Sequence, residues 1–214
     1  MNTAESVKAK LRNRAKSDQR SYEEILMVYG LERMLYRLSI SPHSNYFVLK
    51  GGILLYAIYE GKFMRGTADV DLLGEGIQNS IMEVEAMFRK IFAIVCPDDG
   101  ILFDTNTLTV RQTSELKSNP GISIGIDGFL NKTKIRVNID VGFGDVIFPG
   151  KTMMEYPTLL ESYPSPVLQV YSIESVISEK FEAIVSLGRL NSRMKDFYDI
   201  FALSKTRKIS GFNL

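Results

Sequence analysis

Two aspartates, Asp69 and Asp71, stand one residue apart in the run Asp69-Val70-Asp71-Leu72-Leu73. On a strand, side chains two apart share a face. The two carboxylates would then lie side by side, repel each other and raise each other's proton affinity. Such a pair wants cations. Hard oxygen donors suit Mg²⁺, which keeps waters and completes its shell from substrate phosphates. Two solvated acids at a strand end would leave the same trace, but the flanking Val70, Leu72 and Leu73 argue against full exposure.

A second signal precedes the first. Gly51-Gly52 falls between a short apolar run, Tyr46 to Leu49, and a helical stretch, Ile53 to Ala57. Two glycines there present bare backbone N–H groups at a helix N-terminus, a cradle for phosphate. A tight turn needing positive φ at one glycine explains them equally. A third carboxylate would complete a metal site. Ile135, Val137, Ile139 and Val141 alternate with Arg136, Asn138 and Asp140. Asp140 therefore ends the polar face of a strand, just before glycines. Asp127, on the alternating strand with Ile122, Ile124 and Ile126, is a rival, as is Asp145 in Gly-Phe-Gly-Asp.

Lys180 falls on the apolar stripe Ile173, Ile177, Ile184 and Leu187. A lysine on a buried face must snorkel, pair or meet an anion. A nucleotide phosphate between Lys180 and the carboxylates would satisfy it, and so would an ion pair with Glu179 or a nearby Asp. The last helix carries Arg193, Lys195, Asp196 and Asp199 beside an expected buried stripe of Met194, Phe197, Tyr198 and Phe201. Lys195 and Asp199, four apart, can pair with each other. Asp196 and Asp199 share a face that can front the site.

The elements needed to position these groups are legible. Ser21-Tyr22-Glu23-Glu24 is a capping box before Ile25, Val28, Leu31, Leu35 and Leu38, and Ser41-Pro42 ends that helix. A strand is expected over 67–73, and a helix after Ser80, which pairs with Glu83 as a second capping box. Strands are expected at 101–104, 108–111, 122–126 and 135–141, the last two joined by a turn at Asn131-Lys132-Thr133. Residues 142–166 are rich in Gly and Pro, and a soft boundary is placed there. Ser172 caps a helix ending near Leu187 and Gly188, and a final helix spans about 192–204. The expected fold is α/β of the α+β kind. A mixed sheet is flanked by helices, with helical N- and C-terminal parts. Its division is a core with N-terminal helices over 1–165 and a helical part over 166–214.

Composition narrows the function. The chain has 214 residues, 45% hydrophobic and 24% charged, as in an ordinary globular protein. No apolar run reaches a membrane span, and the polar, basic N-terminus has no signal-peptide h-region. The expectation is a cytoplasmic protein with no membrane partner. One cysteine excludes an internal disulfide framework, and one histidine excludes a site with two His ligands. Carboxylates and lysines must carry any catalysis. The net charge of +1 divides into +4 over residues 1–20, +4 over 186–214 and −7 between them. Basic ends around an acidic centre fit a polyanion at the rim and cations inside, or simply two solvated helical ends.

Together these residues resemble the nucleotidyltransferase superfamily that includes DNA polymerase β, in which a Gly-Gly or Gly-Ser turn precedes an Asp-x-Asp strand and a third carboxylate. Within it, the chain is similar to the AbiEii/AbiGii toxin family of type IV toxin–antitoxin and phage-abortive systems. The resemblance lies in Leu49-Lys50-Gly51-Gly52, Arg65-Gly66-Thr67-Ala68-Asp69-Val70-Asp71, Ile139-Asp140-Val141-Gly142-Phe143-Gly144-Asp145, Ser178-Glu179-Lys180-Phe181-Glu182-Ala183 and Arg193-Met194-Lys195-Asp196-Phe197-Tyr198-Asp199. It implies transfer of a nucleoside monophosphate from an NTP to an acceptor hydroxyl, with tRNA or another RNA as acceptor and two Mg²⁺ ions. Asp69, Asp71 and Asp140 would hold the metal, Asp140 also serving as base. Lys50, Gly51 and Gly52 would seat the triphosphate, and Lys180 would reach a phosphate. Asp196 would orient substrate or lysine, and Arg65 and Thr67 would position the metal pair. A cognate antitoxin acting without a stable complex is implied as partner. Family members continue past the Lys-Asp motif, so a chain ending at Leu214 is expected to be a short or truncated form. The alternatives are a catalytically silent nucleotide- or RNA-binding regulator, and transfer to a protein or small molecule.

Overall fold

The computed structural model describes residues 3–62, 66–113, 120–188, 192–207 and 209. In chain order the described elements are helices α1 (Ala4–Ser17) and α2 (Tyr22–Ser39), strand β1 (Phe47–Lys50), helix α3 (Gly51–Ile58), strand β2 (Asp69–Gly74), helix α4 (Ile81–Phe92), strands β3 (Ile101–Gln112), β4 (Ile122–Leu130), β5 (Thr133–Phe143), β6 (Thr152–Glu155) and β7 (Val167–Val170), and helices α5 (Ile173–Leu187) and α6 (Met194–Thr206). The strands form one seven-stranded sheet in the order β3-β4-β5-β2-β1-β7-β6. β2 runs parallel to β5 and β1 parallel to β7, and the other neighbours are antiparallel. The sheet is mixed, as the tight hairpins require.

Local chemistry sets the helix starts. The hydroxyls of Ser21, Ser80 and Ser172 accept from the backbone N–H of Glu24, Glu83 and Ser175, each filling one of the donors a helix N-terminus leaves unpaired. The alternating residues Ile122, Ile124, Ile126, Ile135, Val137 and Ile139 turn to one face of the sheet and are buried there. α2 and α4 cover that face, packing on β5 and β3, and α1 packs on α2. The basic N-terminal helix thus lies on the helical side of the sheet. The opposite face of β3, β4 and β5 carries the polar half of the alternation, and Thr109, Arg111, Lys134, Arg136 and Asn138 are exposed on it.

The structure departs from the sequence reading in three places. The two strands expected at 101–104 and 108–111 are one strand, β3, whose register against β4 shifts between Asp104 and Thr109. The Thr107 hydroxyl bridges the irregularity, accepting from the Asp127 N–H and donating to the Asp104 carbonyl. The Gly- and Pro-rich stretch 142–166 contains β6, and β7 follows at once. Both are four residues long; β6 pairs with β7, and β7 joins the sheet through distant β1, with Leu49 opposite Val170. Helix α6 is turned over relative to expectation. Met194, Phe197, Tyr198 and Phe201 are exposed, while Asp196, Asp199 and Leu203 are buried. The physical reason is Lys180 on α5, which draws the two aspartates inward.

Candidate active site

Register places the acids. Asp71 lies opposite Asp140 on β5 and opposite Lys50 on β1, and Asp69 lies opposite Asn138. Cross-strand partners share a face, so Asp69, Asp71 and Asp140 all project from the face that α2 does not cover. Gly51 has φ +69°, and a Cβ there would stand 1.9 Å from Asp71 Oδ2. The glycine therefore meets both demands at once: a backbone conformation that L side chains resist, and room for a carboxylate against the start of α3. The Thr67 hydroxyl donates to the Asp69 carbonyl at 3.3 Å and fixes the strand's entry.

Gly51, Gly52, Thr67, Asp69 and Asp71 line the sheet side of an open cleft, and Asp140, although beside Asp71 in register, is not among the lining residues. Across the cleft stand α5 and α6, with Glu179, Lys180, Arg193, Lys195 and Asp196. Burial pushes the Asp71 carboxyl up to about 6, with the neighbouring charges of Asp69, Glu179 and Asp140 adding to the rise and Lys50 opposing it. The sheet-side wall thus sets like charges side by side, with Lys50 offsetting part of their repulsion.

Lys180 is buried, and its ammonium lies 3.1 Å from Asp196 Oδ1 and 2.7 Å from Asp199 Oδ2. Arg193 holds the other Asp196 oxygen at 2.8 Å. Of the ion-pair partners open to Lys180, Glu179 or a nearby Asp, the structure gives it two aspartates of α6. Asp199 pairs with Lys180, where a pairing with Lys195 was the expectation; Lys195 is exposed and borders the cleft. Lys50 is not among the residues that line the cleft. Its ammonium sits 2.5 Å from Asp145 and 2.7 Å from Glu179, over the Tyr171 ring. Burial alone would lower its pKa, and the two carboxylates outweigh that and raise it.

The rivals for third carboxylate are engaged elsewhere. Asp145 binds Lys50 and the Tyr171 hydroxyl. Asp127 binds Lys134 at 2.7 Å and Arg136 at 3.0 Å. Asp140 alone of the three adjoins Asp71 in register. Arg65 lies outside the described residues. Glu179 faces both Lys50 and the cleft. The sequence marks it only as a possible partner of Lys180 and as part of the Ser-Glu-Lys block, because nothing in a helical pattern shows which strand a side chain will meet.

Among the described residues, no three His, Cys, Asp or Glu side chains converge as a closed metal cage. The donor set suits a different kind of ion. Paired carboxylates on one strand, Asp69 and Asp71, with Asp140 opposite Asp71, match Mg²⁺, which takes most of its shell from water and phosphate.

The profile of the AbiEii family, described as "Nucleotidyl transferase AbiEii toxin, Type IV TA system", matches residues 33–213. The chain belongs to this family. As an AbiEii member it is a nucleotidyltransferase of a type IV toxin–antitoxin system, which implies a nucleotide substrate and an antitoxin partner. Among curated proteins none matches the chain. The fold is similar to that of JHP933 from Helicobacter pylori at 16% identity and TM-score 0.55, over 87% of this chain and 68% of that one. A second H. pylori protein of known structure is similar at 17% identity and TM-score 0.49, over 83% of this chain and 66% of that one. The AbiEii chain thus spans about two thirds of the length of each. No described helix is long and apolar enough to cross a membrane.

Proposed function

We propose that this AbiEii-family chain transfers a nucleoside monophosphate from an NTP to a hydroxyl of RNA, in particular tRNA, in a Mg²⁺-dependent reaction in the cytoplasm. The observation that supports this most is the cleft itself, with carboxylates Asp69 and Asp71 on one wall and Lys180, Arg193 and Lys195 on the other. A triphosphate with its metal is complementary to both walls at once.

Asp69, Asp71 and Asp140 would hold two Mg²⁺ ions, which when bound neutralise charge on the phosphates. The chain's own residues do the rest. The bare N–H groups of Gly51 and Gly52 face the triphosphate at the start of α3. Lys180, held by Asp196 and Asp199, presents its cation from the α5–α6 wall. Thr67 fixes Asp69. Lys50, fastened by Asp145 and Glu179, stands beside Asp71 on the same face and offsets part of its charge. Asp140 takes the proton of the acceptor hydroxyl. The freed oxygen bonds to the α-phosphorus, the bond from that phosphorus to the bridging oxygen breaks, and pyrophosphate leaves. The antitoxin acts without a stable complex with this chain.

The test is incubation of the purified protein with total RNA, Mg²⁺ and each labelled NTP in turn, with Asp69→Ala alongside. Label entering RNA from one NTP, and absent in the variant, is the expected result. Full transfer by Asp69→Ala would overturn the metal assignment. Pyrophosphate without labelled RNA would move the acceptor to a protein or small molecule. Neither product would leave a nucleotide- or RNA-binding regulator.

A further inference from the structure

The polar face of β3, β4 and β5 is open, and it runs without a break into the carboxylates. β5 carries Asp140, Asn138, Arg136 and Lys134 in succession on that face, so the row at Lys134 lies about 20 Å from the row at Asp140. The rows can be read across the sheet. Arg111 and Ser123 continue the Asp140 row toward the β3 edge, and Phe129 stands opposite Lys134.

One cation on this face is built in. Gly125 has no side chain, and a Cβ there would come 2.1 Å from Arg136 Nη2. The guanidinium therefore occupies the space over Gly125 that a side chain would take. It is held there by Asp127 Oδ1 at 3.0 Å and the Thr109 hydroxyl oxygen at 3.0 Å, while its side chain stays 40% exposed. Asp127 is buried and also holds Lys134, whose side chain is 58% exposed. Arg111 is exposed nearer the carboxylates. The face thus offers three accessible cations, two of them oriented in advance, and a half-buried aromatic ring.

We propose that this face is the platform on which the acceptor RNA lies, its phosphates on Arg111, Arg136 and Lys134 and a base against Phe129, with its reacting end at Asp140. The inference rests on the nucleotidyl-transfer reading for the identity of the acceptor. The physical basis is charge complementarity and continuity with the site. A strand lying on cations at this spacing reaches the carboxylates without crossing the helical side, and flat sheets carrying aromatic and cationic side chains suit unstacked single strands. The basic helix α1, on the other side of α2, has no such path.

The test measures binding, so it does not depend on turnover. Single-stranded RNA is titrated into the full chain across a salt series. The variants are Arg111→Ala/Lys134→Ala, and Arg12→Glu/Lys16→Glu on α1. The first is expected to weaken RNA roughly tenfold or more and to lower the salt slope by about 1.4, at 0.7 per lost single-strand phosphate contact. The α1 variant is expected to bind as wild type, and Asp69→Ala to bind RNA while losing transfer. Unchanged affinity and slope in Arg111→Ala/Lys134→Ala would overturn the proposal. So would loss of binding in the α1 variant alone, or a wild-type chain that ignores RNA. RNA binding through this face in a chain that transfers no nucleotide would support the platform while sinking the catalytic reading.

Discussion

Two parts of this protein bury charged side chains, and they do so in opposite ways. Under α2, Glu32, Arg33, Arg37 and Asp99 are enclosed in the core. Arg37 meets Asp99 at 2.7 Å and donates to the carbonyls of Arg33, Ile94 and Ile101, so its fork is satisfied by protein alone. Glu32 accepts from the Leu159 N–H and lies 2.6 Å from Arg33. Between α5 and α6, Lys180, Asp196 and Asp199 are equally buried, but Lys180 and Asp196 border the cleft. The first network ties the 94–101 and 159–164 loops to a helix, and its side chains are at most 3% exposed. The second has one side open. Burial and pairing are the same in both, and what separates a structural charge from a working one is access.

If that distinction holds, the two regions should respond to mutation in opposite currencies. The largest effect is expected at the sheet-side wall. Asp71→Asn should cut nucleotidyl transfer roughly a thousandfold or more, with thermal stability equal to or above wild type, because a repelled carboxylate disappears. Parallel melting and transfer assays check it. A large fall in melting temperature would make Asp71 structural.

Next comes the contrast within the buried pairs. Asp99→Ala should cost about 3–5 kcal/mol, since it strands Arg37 in the core. Asp199→Ala should cost only about 1–2 kcal/mol, because Lys180 keeps Asp196 and faces the cleft, while transfer falls. Urea unfolding of both variants measures the gap, and equal losses would erase the comparison.

Gly51→Ala should lower transfer about a hundredfold by displacing the Asp71 carboxylate. The strain of its positive φ adds about 1 kcal/mol or more. Steady-state kinetics at saturating NTP resolve this from a binding defect.

The last effect is in pH. Burial pushes the Glu32 carboxyl up to about 7, with Arg33 and the Leu159 N–H opposing the rise. The folded state then holds that proton more tightly than the unfolded chain. The resulting stability is complete below about 4.5 and is lost as pH rises through about 7, on the order of 3 kcal/mol. Denaturant midpoints between pH 5 and 8 should fall with rising pH, and the slope should flatten in Glu32→Gln.

Much of the site was legible because chemistry and spacing mark it. Asp69 and Asp71 share a face on any strand, Gly51-Gly52 announce a bare backbone, and Lys180 stands out on an apolar stripe. The alternation in β5 fixed which face Asp140 would take. None of this reached Glu32, Arg33 and Arg37, which lie off the apolar stripe of α2. Whether residues off the stripe meet water or a second layer depends on the 94–101 and 159–164 loops, which are far away in the chain.

The amino-acid order by itself determined the local elements, their caps, the faces of the strands and the family. Each of these depends on neighbours within a few residues or on motifs read in series. Only the tertiary structure decided that β7 pairs beside β1, that α6 turns its aspartates inward, that Lys50 belongs to Asp145 and Glu179, and that Asp140 rather than Asp127 adjoins Asp71. Those outcomes are pairings between charges or strands brought together by the sheet, and sequence separation carries no record of which partner is nearest.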